Sequence, residues 1–199
     1  SDSVYARSVA AAVFVVGLTE MSLELTALAA FQSLYGYVYY GLALIVAAFM
    51  AGLAFGGLLG VRLVSAGRVS RGILAAAQLA FVAVPVALLA AIEAIAGLPA
   101  ESLLTWSTLF PMLVVGSALL AGVQFPLAFA LVAGDLSRPG STGGRLYATD
   151  LAGAALGAVG TSVFMLPIMG ISGTMQSLAI LNFALFVCLL PWGSSDRPR

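Results

Sequence analysis

No charged residue interrupts the chain between Glu24 and Arg62, between Arg71 and Glu93, between Glu101 and Asp135, or between Asp150 and Asp196. Apolar stretches of this length restrict the fold more than any motif, because about 20 helical residues, rising about 1.5 Å each, cross a hydrocarbon core of about 30 Å. Closed β-barrels are the other spanning architecture, but they show short alternating segments rather than long continuous apolar runs. With 62% hydrophobic and 8% charged residues, the chain has too little polar surface to wrap itself for water, where about a quarter of residues would be charged.

The sequence therefore predicts an all-α fold: a polytopic transmembrane bundle of six helices forming a single domain over residues 1–199. The spans are expected at about 8–33, 37–61, 72–96, 106–133, 146–169 and 173–192. All eight basic residues are arginines, and on this topology Arg7, Arg62, Arg68, Arg71, Arg138, Arg145, Arg197 and Arg199 fall on one side. The positive-inside rule then makes both termini cytoplasmic. Tyr35, Tyr37, Tyr39 and Tyr40 at an outer turn, Trp106 and Phe110 at the start of the fourth span, and Trp192 at the end of the sixth read as interfacial rings. Pro85, Pro126 and Pro167 lie inside spans and are expected to kink them. The stretch "GDLSRPGSTGG", Gly134–Gly144, reads as a flexible cytoplasmic loop. The chain opens on Ser1 rather than methionine, as expected of a processed or partial product, and its first apolar run is too long for the h-region of a signal peptide.

Several function classes drop out on residue type. There is no histidine, and Cys188 is the sole cysteine, so no metal centre, internal disulfide or cofactor is expected. Net charge is zero and no basic tract exists, which argues against nucleic acid as a partner. The chain has no GxSxG elbow, Walker loop or strand-borne GxGxxG, so no catalytic residue is assigned.

Two features carry polar chemistry. In "GLTEMSLELTALAAFQ", Glu20 and Glu24 are four residues apart on one helical face, with Gly17, Ala27 and Phe31 along the same stripe. Counted from Ser8, Glu20 lies about 18 Å into the first span and Glu24 about 6 Å further. An acid at that depth costs about 2.5–3.5 kcal/mol on insertion scales and turns toward protein or a wet cavity. Two ionised carboxylates so close repel, so either a proton or a cation lies between them. One reading is a proton or cation site; the other is a pair of neutral acids locking helices through Gln78, Gln124 or Asn182.

The second feature is "GGRLYATDLAGAALGAVGT", where Gly153 and Gly157 form a small-residue seam for close helix approach. "AGLAFGGLLG", with Gly52, Gly56 and Gly60, is a second seam, and the second and fifth spans are expected to pack together through them. Asp150 near the cytoplasmic end is expected to pair with Arg145 or Arg62.

The set "EMSLEL", "FQSLYGYVYYG", "AAFMAGLAFGGLLG", "QFPLA" and "GRLYATDLAGAALGAVGTSVFMLPIMGI" resembles the membrane portion of bacterial spermidine-synthase-like fused membrane proteins. The likeness is clearest from about Gly17 to Ile171, with "EMSLE" and "GRLYATD" as matching positions. The resemblance implies a membrane module of a bacterial cytoplasmic membrane that accompanies a soluble aminopropyltransferase-like domain. No nucleotide loop or substrate pocket of that domain is found in these residues, so any such activity would need another chain or segment.

Three functions remain open. The first is a non-catalytic module in the lipid bilayer that scaffolds other subunits or a soluble partner domain. The second is a carrier for a small cation, a polyamine or the proton, using Glu20 and Glu24. The third is the membrane part of a synthase-like enzyme.

Overall fold

A computed structural model describes residues 2–36, 39–97, 108–132 and 139–189. Tyr37, Glu101, Trp106, Arg138, Trp192, Arg197 and Arg199, and the first residues of the expected 134–144 loop, lie outside the described residues. Among the described residues the structure is almost wholly helical, and no strand occurs. The helices are α1 (Asp2–Tyr35), α2 (Tyr39–Ser65), α3 (Arg71–Ala96), α4 (Phe110–Val132), α5 (Pro139–Val159) and α6 (Leu166–Leu189), with a wider π-helical segment, Gly160–Met165, joining the last two. Five described stretches are long and apolar enough to cross a membrane; the fifth covers Gly140–Leu189 and contains a sharp break at Gly170.

Local chemistry explains where the helices stop. After α2 the amide of Arg68 donates to the Leu63 carbonyl and that of Gly67 to Val64, both at 3.0 Å, and Gly67 adopts φ 68°. This is the Schellman arrangement, which satisfies the last carbonyls of a helix and favours glycine at the left-handed position. Ser70 then caps α3, its hydroxyl accepting from the Ile73 amide at 3.2 Å.

Two expectations are corrected in the C-terminal third. Helix α5 begins at Pro139, so residues 139–144 are its first turns rather than loop. Proline suits this position because its fixed φ matches a helix and its missing N–H would have been unpaired there. The turn expected at 170–172 narrows to one non-helical residue, Gly170, with φ 66° and ψ −172°, and helix resumes immediately. That backbone conformation is open essentially to glycine alone. The chain doubles back there: Thr161 bonds to Ser22 and Asn182 to Thr19. Helix running straight from Thr161 to Asn182 would separate them by about 32 Å, yet their partners on α1 are less than one turn apart.

The glycine seams set the helix pairing. Gly52, Gly56 and Gly60 of α2 abut the backbone of α4 at Val115, Leu119 and Val123, and Gly122 of α4 abuts Leu53 in return. Gly153 and Gly157 of α5 abut the carbonyls of Phe14 and Leu18 on α1, and Gly17 meets Asp150 from the other side. The two seams thus do not meet one another, contrary to the sequence expectation; each has its own partner helix. In both pairs residue numbers rise together along the contact, so α1 runs parallel to α5 and α2 parallel to α4. In lipid such close approach stabilises through dispersion, because there is little hydrophobic driving force between helices.

Neutral side chains complete the assembly. Asn182 donates to the Thr19 hydroxyl at 2.9 Å and accepts from Gln78 at 2.8 Å, tying α6, α1 and α3. Thr161 donates to the Ser22 hydroxyl at 2.8 Å, joining the π-helical segment to α1. Apolar packing falls into two clusters. One contains Phe31, Ile45, Phe81, Ile92, Phe110 and Met175, with the Phe31 and Phe110 rings edge to face at 5.6 Å. The other, built on Val9, Val13, Leu74, Leu127 and Leu146, lies at the end of the bundle where Arg7, Arg62, Arg68 and Arg145 occur.

Candidate cation site

Where the two apolar clusters meet, the α1/α5 and α2/α4 pairs leave a cavity of about 230 Å³ between them. Val13, Val16, Leu53, Leu74 and Phe125 are among its apolar walls, and its polar lining is Glu20 from α1, Asp150 from α5 and Gln124 from α4. Among the described residues no basic side chain lines it.

Each polar group is held there by the backbone pairing. Glu20 lies one helical turn beyond Gly17, and Asp150 one turn before Gly153, so both acids flank points where α1 and α5 nearly touch. A Cβ added at Gly17 would sit 2.6 Å from Asp150 Oδ1, so only glycine leaves room for that carboxylate against α1. Gln124 is 3% exposed, and neither its amide oxygen nor its nitrogen has a hydrogen-bond partner. Leaving such a group unpaired costs about 1–3 kcal/mol, which favours a polar guest. Pro126, two residues along, has no N–H to give the Gly122 carbonyl its usual helical bond, and both residues line the same cavity. The chamber therefore offers carboxylate and amide oxygens inside apolar walls. It is suited to a proton or a small cation.

The structure distributes the sequence candidates unevenly. Glu20 and Asp150 are brought together, whereas Glu24 is outside the cavity lining, 5% exposed, with Oε2 unpartnered. Asp150 faces this chamber, Arg145 lines a different hollow, and Arg62 is exposed near the end of α2. Gln78 and Asn182 bond to each other rather than to an acid. Sequence reasoning missed the partnership of Glu20 with Asp150 and Gln124. The available signal was the glycine three residues from each acid, which marks both as lying beside a close helix crossing.

The fold and the cavity define a class: a helical bundle with five stretches long and apolar enough to cross a membrane, and with two acids lining a cavity between helix pairs. No protein-family model, curated protein or solved structure matches this chain.

Proposed function

We infer that this is a six-crossing protein of a bacterial cytoplasmic membrane, with both termini in the cytoplasm, that binds and carries a small cation or protons between Glu20 and Asp150. The single observation behind the reading is that two carboxylates and an unpartnered glutamine amide line one cavity, with no basic side chain among its described lining residues. The reversal at Gly170 supports six crossings, and the gathering of Arg7, Arg62, Arg68 and Arg145 at one end supports the orientation. The neutral bonds of Thr19, Ser22, Thr161 and Asn182 hold the helices, which leaves the acids available to a guest. The resemblance to spermidine-synthase-like membrane modules makes a polyamine one candidate cargo.

The test is flux into proteoliposomes, with pH-sensitive dye for protons and radiolabelled putrescine for a polyamine. The E20Q/D150N double variant is expected to lose transport of whichever cation the wild type moves, and E24Q to retain more of it. Equal flux in wild type and E20Q/D150N removes these acids from any carrier mechanism.

A second reading, a module that holds partner chains or a soluble domain, is favoured by the C-terminal arm. Only 11% of its most apolar stretch within 140–189 is buried, against 56% for α1. Recovery of the chain from native membranes as a lone monomer would argue against it.

A further inference from the structure

The geometry points to a second site, for a phosphate-bearing anion, in the hollow between the N-terminal ends of α1 and α5. This hollow, about 220 Å³, is lined by Ala6, Ala10, Val132, Thr142, Arg145 and Thr149. It is separate from the acid chamber and shares no lining residue with it.

Arg145 and Asp150 are five residues apart on α5, too far round the helix to share a face, since 100° per residue turns them well away from each other. Asp150 is spent on the chamber with Glu20. Arg145 is exposed and faces the hollow, and among the described residues no carboxylate pairs with it. Its guanidinium offers five N–H donors in a planar fork, the geometry that matches two oxygens of a phosphate.

The surroundings complete the site. The hydroxyl of Thr149 donates to the Arg145 carbonyl at 2.8 Å, so it steadies the backbone that carries the guanidinium. Helix α5 starts at Pro139, so the positive end of its dipole lies just beyond the Thr142 side of the hollow. Parallel packing of Gly153 on Phe14 sets Arg145 level with Ala6, next to Arg7, which is exposed. One lining cation, Arg145, thus faces a hollow whose other walls are alanine, valine, leucine and threonine, with the exposed Arg7 next to the lining residue Ala6. A phosphate attached to an apolar body fits such mixed lining: the headgroup of an anionic phospholipid in the surrounding leaflet, or free phosphate seated without the tail.

The experiment titrates the purified full chain in a neutral detergent with dioctanoyl phosphatidylglycerol, dioctanoyl phosphatidylcholine and inorganic phosphate, reading the thermal unfolding midpoint and retained lipid by native mass spectrometry. Phosphatidylglycerol is expected to bind saturably and raise the midpoint. R145Q should weaken that binding about tenfold, R145K should restore part of it, and R62Q, an exposed arginine at the same end of the bundle, should leave it unchanged. Binding of inorganic phosphate that depends on Arg145 assigns the site to the free anion, whereas binding of the lipid alone assigns it to a headgroup. The site is disproved if R145Q binds as wild type does, or if R62Q weakens binding as much as R145Q, which would reduce the effect to general surface charge. Circular dichroism of R145Q checks that the exposed substitution leaves the helices intact.

Discussion

At the scale of single residues, the unusual feature is a glutamine rather than an acid. Gln124 is enclosed in the chamber with its whole amide unpaired, whereas Gln78 and Asn182, equally enclosed, bond to each other. A group that stabilised the protein would not be left this way, since its desolvation is uncompensated. Replacing it with leucine, of similar bulk, should therefore raise the thermal unfolding midpoint in cation-free detergent by an amount corresponding to about 1–2 kcal/mol. The same variant should bind the cation more weakly. A lowered midpoint for Q124L would reveal a partner for the amide and weaken the case for a guest. By contrast, N182L removes a residue bonded to both Thr19 and Gln78. It should destabilise by about 0.6–2 kcal/mol, the range for polar bonds between membrane helices, as read from refolding in mixed micelles.

At the scale of helices, contacts between backbones govern the arrangement, and they predict opposite outcomes at adjacent positions. A methyl at Gly56 would collide with the Leu119 carbonyl, while one at Gly57 meets nothing within 4 Å. G56A should thus pry α2 from α4 and lower the unfolding midpoint. G57A should hold or raise stability, because alanine is about 1 kcal/mol better than glycine in a helix interior. Gly170 obeys a different rule. Its surroundings are empty, but φ 66° with ψ −172° excludes a side chain on conformational grounds. G170A should cost about 1–3 kcal/mol and disturb the return of α6 onto α3, seen as loss of a disulfide engineered between these helices.

At the scale of the whole molecule, the chain is organised as tight helix pairs around a polar seam. Orientation is the property on which both proposed sites depend. In a C188S background, single cysteines at positions 7, 68 and 145 should all react with an impermeant maleimide only from the cytoplasmic face, and one at position 93 only from the opposite face. Labelling of positions 7 and 145 from opposite faces would break the parallel pairing of α1 with α5 and with it the shared chamber.

The long uncharged runs were enough to foresee an all-helical fold with helices long and apolar enough to cross a membrane, because lipid forces backbone polar groups into helices and leaves a direct trace in local sequence. Glu20 was also recognisable, since an acid at that depth stands out against apolar neighbours. What local sequence does not contain is which helix meets which. Small-residue seams look alike, and the choice of α4 for α2 and of α1 for α5 depends on how all six segments fill space together. That choice alone placed Asp150 and Gln124 beside Glu20, left Glu24 apart and turned Arg145 toward a different hollow.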